Sequence, residues 1–316
     1  MARLLNLIGM AIGVLICAGA TPGAAQPTDY GPRLLGPHDT EERWGAFETD
    51  GAETEVRYFV VRPQDDKPYP GVYYIYGRPG LDDRLLQEFR RLASFGFMVF
   101  TAHYHEALLM PPFSSRVDPD SAFKIVEDGL DVFLKLPGRT SDKPCVIATV
   151  RGGQYMVKMA AKGNFTCMIG YHAVLINHAW PEQFQEVTLL QEMRKVRIPT
   201  LLMIGSADYE VRQNQSKRAA QYLESRGVPV DLVVYPGAGR GFDFRIVDRS
   251  LADDMAKMDS MYRAVAFLNK HMGRENPAGP LLGPFASAPV PSAIRAPFPG
   301  VPRLQVRKPT VDTNRE

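Results

Sequence analysis

Apolar positions follow two rhythms between residues 54 and 272. Residues 54–62 alternate in the strand manner. Pro-Tyr-Pro at 68–70 breaks that run, and 72–76 follows as a short apolar strand. Residues 82–95 switch to the helical period, with Leu85, Leu86, Phe89, Leu92 and Ala93 on one face. A strand is expected at 97–102. Asp118 caps a further helix with Pro119 in its first turn. The inward face of that helix is Ala122, Ile125, Val126, Leu130, Phe133 and Leu134. Strands at 146–149 and 167–171 come next. Residues 172–196 are less regular, with a helix expected over 182–195. A strand at 200–204, a helix at 213–225, a strand at 230–235 and a helix at 251–272 complete the pattern. No internal repeat is visible. Alternating strands and helices imply an α/β fold, a mostly parallel sheet with helices on both faces.

The two ends differ from this middle. Arg3 precedes an apolar run at 4–18, and small residues follow at Ala18-Gly19-Ala20 and Gly23-Ala24-Ala25. Residues 1–25 are therefore expected to be a secretory signal peptide cut after Ala25. The run is short of the roughly 20 residues a membrane span needs. Cys17 follows Ile16, which is too large for a lipoprotein cleavage site. The mature protein is thus expected in the periplasm or outside the cell, with no stable membrane span. Residues 26–45 are polar and punctuated by Pro and Gly, and are expected to form a loose arm. Nine prolines fall between Pro277 and Pro309 without apolar periodicity. Residues 275–316 are expected to be an extended, largely disordered tail, a candidate contact for another protein. Cys145 and Cys167 are the cysteines left after cleavage. Export permits a disulfide, but its geometry is demanding, and a buried reduced pair is expected.

The 316 residues are 45% hydrophobic and formally +2, a globular profile. No basic run with interleaved aromatics is present, so nucleic acid is not an expected partner.

One stretch carries candidate chemistry. Cys145-Val146-Ile147-Ala148-Thr149 reads as a buried strand, followed by Val150-Arg151-Gly152-Gly153 and a helix at 154–161. This is the strand–turn–helix setting of a nucleophile elbow, G-x-S-x-G. Here the pattern reads Ala148-Thr149-Val150-Arg151-Gly152. Val150 stands where Ser or Cys would attack a carbonyl, and it has no lone pair to do so.

Residues 48–272 resemble the dienelactone hydrolase family of α/β-hydrolases, on five places in order. Phe47-Glu48-Thr49-Asp50-Gly51 with 56–63 resembles the entry hairpin. Residues 69–77, ending Tyr76-Gly77, resemble the strand that normally ends in His-Gly. Residues 148–153 match the elbow, and 202–211 the turn carrying the acid. Tyr235-Pro236-Gly237-Ala238-Gly239-Arg240-Gly241-Phe242 matches the turn carrying the histidine. The resemblance implies an α/β-hydrolase fold, and ester or lactone hydrolysis on small carboxylated lactones. It places the nucleophile at Val150, the acid at Asp208 and the histidine at Arg240. A guanidinium stays protonated and cannot serve as general base. Two of the three chemistries of a triad are therefore absent. Thr149 is expected to point away from the pocket by strand alternation. Tyr155, one helical turn on, would need a base within reach.

Three uses of the pocket remain. The N–H groups after Val150 open a helix, and helix N-termini attract anions. With Tyr76, Arg78, Arg151, Gly152 and Arg240 around it, the pocket is a candidate site for a small organic anion bound without cleavage. Alternatively, Arg240 and Asp208 form an ion pair, commonly bidentate, and the Val150 methyls fill the pocket. Third, His103 and His105 follow one strand and His172 and His178 another, at the edge where open sheets bind ligands. With Asp208 or Glu106 they could hold a metal that activates water, although His-x-His alone is a weak pattern. No cofactor is implied, since Gly237-x-Gly239-x-Gly241 lacks the G-x-G-x-x-G spacing. The expectation is an exported, dienelactone-hydrolase-like pseudoenzyme with a binding or scaffolding role. The alternative is an ester or lactone hydrolase using a non-standard nucleophile or a bound metal.

Overall fold

The computed structural model describes residues 35–114, 118–176, 189–245 and 247–274. The signal segment, the Pro-rich tail and His178 lie outside them. Eight strands form one sheet in the order β1-β2-β4-β3-β5-β6-β7-β8. They are β1 (Thr40–Phe47), β2 (Val56–Pro63), β3 (Gly71–Ile75), β4 (Met98–Ala102), β5 (Cys145–Thr149), β6 (Met168–Tyr171), β7 (Thr200–Gly205) and β8 (Val230–Tyr235). β2 runs antiparallel to both its neighbours, β1 and β4, and β3 to β8 run parallel. The α-helices among the described residues are α1 (Asp83–Ser94), α2 (Tyr104–Ala107), α3 (Pro119–Lys135), α4 (Gly152–Ala160), α5 (Glu210–Glu224) and α6 (Leu251–His271).

Alternation along β3 shows why both faces are covered. The Tyr73 hydroxyl donates to the Val126 carbonyl of α3 at 2.6 Å. Tyr74, facing the other way, packs its ring 4.6 Å from Phe89 of α1. Strands β3 to β7 are buried throughout, as expected of parallel strands between two helical layers. Helix starts follow capping chemistry. The Asp118 carboxylate accepts from the N–H groups of Asp120 and Ser121, with Pro119 at the first helical position. Ser250 and Asp253 form a reciprocal capping box at α6.

Four expectations are corrected. The loose arm is strand from Thr40, because β1 pairs with β2 from Thr40↔Pro63 to Phe47↔Val56. Leu134 is 39% exposed, one position past the face that Phe133 buries. Of the helix expected at 182–195, the described residues contain one 3-10 turn, Gln191–Lys195. Cys145 and Cys167 form a disulfide rather than a reduced pair, with Cα atoms 4.7 Å apart. The reason is register. Val146 pairs with Met168 in the parallel ladder, so the preceding residues, the two cysteines, are also neighbours. Spacing along the chain does not reveal that register.

Candidate functional site

Loops at the C-terminal ends of the parallel strands meet around the β5–α4 turn. Val150 has φ +47° and is buried. This left-handed conformation is the sharp turn of an elbow, and for a β-branched residue it is an outlier. The turn is held on three sides. Val150 N donates to the Tyr171 carbonyl, and the Val150 carbonyl accepts from the N–H groups of Gly153 and Val174. Gly152 passes so close to β3 that a β-carbon there would lie 2.3 Å from the Ile75 carbonyl oxygen. The Val150 side chain rests against Gly77, where a β-carbon would stand 2.8 Å from Val150 Cβ. Thr149 borders a narrow cleft of about 10 Å³ with Tyr76, Gly77 and Phe244, and strand alternation puts its side chain on the Tyr74 face of the sheet, against α1.

The acid turn has a partner that sequence reasoning missed. Asp208 is buried; its Oδ1 accepts from Tyr209 N at 2.7 Å. Its Oδ2 stands 3.6 Å from Nδ1 of His172, whose Nε2 is 3.0 Å from Asp243 Oδ1. His172 is fully buried, has φ +46° and sits edge-on to Phe242 at 4.6 Å. Burial alone would lower its pKa, but the neighbouring carboxylates of Asp208 and Asp243 outweigh that and raise it. His172, set between the carboxylates of Asp208 and Asp243, therefore links the ends of β6, β7 and β8. The signal for it is spatial: β6 neighbours β7, so His172 lies beside the acid turn.

The expected Arg240–Asp208 ion pair does not form. Arg240 places its guanidinium 5.8 Å from the Tyr209 ring centroid. Tyr209 is 58% exposed and Arg240 half-buried, while the buried carboxylate faces His172. Two of the three arginines have partners of their own. Arg78 donates to the Phe113 carbonyl at 2.5 Å, and Phe113 N donates back to the Arg78 carbonyl. Arg151 is half-buried and precedes α4; among the described residues its side chain has no hydrogen-bonded or ion-paired partner. Its charge is felt by Tyr155, Tyr104 and His105. Tyr76, expected to touch ligand, stacks on Tyr104 at 4.6 Å, and its hydroxyl accepts from His105 N at 3.2 Å.

The candidate metal histidines are dispersed by their partners. His103 Nδ1 lies 2.6 Å from Glu106, which also binds Arg57. His105 is enclosed by Tyr76 and Tyr104. His172 is clamped as above. Among the described residues no group of three His, Cys, Asp or Glu side chains is arranged to hold a metal ion.

An eight-stranded, mostly parallel sheet covered on both faces, with a left-handed strand–helix turn at its C-terminal edge, defines an α/β-hydrolase fold. Solved structures agree. A Klebsiella pneumoniae protein described as a dienelactone hydrolase matches with a TM-score of 0.56 at 16% identity, over 72% of this chain and 99% of that one. A dienelactone hydrolase-like promiscuous phosphotriesterase from metagenomic libraries matches at 0.59 and 19%, over 72% and 98%. Pyrococcus horikoshii acylaminoacyl peptidase matches at 0.60 and 16%, over 75% and 42%. The model of the dienelactone hydrolase family matches residues 56–272, and the chain belongs to that family. The acylamino-acid-releasing enzyme of Rattus norvegicus is 29% identical over 96 residues, 30% of this chain and 12% of that enzyme. The matched segment is thus a small part of that relative.

Proposed function

We propose that this protein is a non-catalytic, exported member of its family that binds a small organic anion at the elbow. The observation that carries this is Val150 at φ +47°. The turn is kept although its residue has no nucleophilic atom and is sterically ill-suited to it. What the turn still does is present the start of α4 beside the Arg151 guanidinium, and both favour an anion. Hydrolysis is disfavoured by the same groups. His172 is fully buried, its Nε2 is engaged by Asp243, and its raised pKa favours the protonated form. It is therefore poorly placed to take a proton from a nucleophile. Arg240 stays charged and cannot replace it. The Cys145–Cys167 bond supports export, since cytosolic thiols are kept reduced.

The test is a melting curve with acetate or benzoate. A ligand bound only by the folded state, at 100 times its Kd, adds about 2.7 kcal/mol. Wild type should show a larger rise in Tm than Arg151→Ala. Equal shifts would remove the elbow as the site.

A further inference from the structure

We infer that the anion bound at the elbow is a hydroxycarboxylate, held on its second side by His105 and Tyr155; this rests on the anion-binding proposal above. The inference starts from polar groups left over in a buried place. His105 is 3% exposed, and among the described residues neither ring nitrogen meets a hydrogen-bond partner. Tyr155 is 1% exposed, and its hydroxyl is likewise without one. Buried polar groups are nearly always paired, so two together ask for an explanation.

The two belong to one cluster. Tyr104 touches both, its ring 4.7 Å from His105 and 5.9 Å from Tyr155. Its own hydroxyl is satisfied by the Tyr76 carbonyl at 2.8 Å. Arg151 adds the charge that both residues feel. Burial, then His103 and Arg151, lowers the His105 pKa to about 4. The ring is therefore neutral at neutral pH, one nitrogen donating and the other accepting. Tyr155 is raised to about 12, chiefly by burial, and keeps its proton. The unspent set is thus a guanidinium, a phenol and an imidazole N–H as donors, with one imidazole nitrogen as acceptor. A carboxylate answers the donors, and a neighbouring hydroxyl on the same molecule answers the acceptor. A plain carboxylate would leave that nitrogen unpaired.

Titration calorimetry of the whole protein with lactate and with propanoate reads this out, since the two differ by one hydroxyl. Lactate should bind about tenfold more tightly, a difference of about 1.4 kcal/mol. His105→Phe should erase that preference. Tyr155→Phe, which removes only an unpaired oxygen, should weaken both ligands several-fold without lowering the Tm of the free protein. Equal binding of lactate and propanoate, with both lost in Arg151→Ala, would overturn the hydroxycarboxylate inference and leave anion binding standing. Binding of neither would overturn both. A Tyr155→Phe protein that melts lower yet binds lactate as wild type does would give that hydroxyl a structural role and also overturn the inference.

Discussion

Replacing Val150 by glycine separates two effects that oppose each other. Val150 is 2% exposed and sits at φ +47°. Losing its side chain forfeits about 1.5–3 kcal/mol of burial, and glycine adds roughly 0.5–1 kcal/mol of freedom to the unfolded chain. Against this stands relief of a non-glycine residue held in a sparsely populated region, about 1–3 kcal/mol. The terms largely offset, and the expected net loss is about 1 kcal/mol. Val146, in the strand that leads into the turn and 0% exposed, has no such relief available. Val146→Gly should therefore cost roughly 2–4 kcal/mol. Urea unfolding of the oxidised protein at pH 7 gives both numbers from midpoints and slopes. If Val150→Gly costs as much as Val146→Gly, the elbow holds no strain and the account of a preserved turn is refuted.

Four further outcomes are expected. Removing both Cys145 and Cys167 by alanine substitution should lose about 3 kcal/mol, as a loop of this length predicts for a sequence separation of 22; an unchanged urea midpoint would show that the sulfurs do not stabilise the fold. The raised pKa of His172 means that its clamp is fully present below about 6.5 and lost as pH rises through the folded pKa. The stability margin of wild type over His172→Gln should thus shrink between pH 6 and pH 9, and a constant margin would contradict the clamp. For His105 the sign reverses: the unfolded chain takes up a proton below about 6.5, the folded one only near 4, so wild type should lose up to about 3 kcal/mol across that window. His105→Phe should flatten this slope, and an equal slope in both proteins would refute it. Arg240→Ala should change stability by no more than about 0.5 kcal/mol, as for a half-buried surface charge with no ion-pair partner among the described residues; a loss of about 3–5 kcal/mol, typical of a broken buried pair, would restore the Asp208 pairing.

Periodicity made most of the architecture legible. The faces of α1 and α3, with the Asp118 cap, and the apolar runs of β3 to β7 follow from local pattern and capping chemistry. β1 was obscured because it is an edge strand: Glu41, Glu42 and Arg43 face solvent, and such a strand has no apolar rhythm to detect. The elbow was legible from its glycines and setting, down to Val150. What the residues near it do was not. The His172–Asp208–Asp243 clamp joins three loops that only the strand order brings together, and the disulfide depends on the β5–β6 register. Arg240 illustrates the same limit. Motif position placed it opposite Asp208, but a long cation reaches solvent more cheaply than it desolvates, and a histidine from another strand end took the carboxylate.

The most direct test of the central claim is hydrolysis of a short-chain chromogenic ester and of a dienelactone by the purified protein, beside Asp208→Ala as a control for contaminating esterase. The account predicts no turnover above the control for either substrate. Turnover in wild type that disappears in Asp208→Ala would contradict it, and would mean that the preserved elbow still serves a reaction.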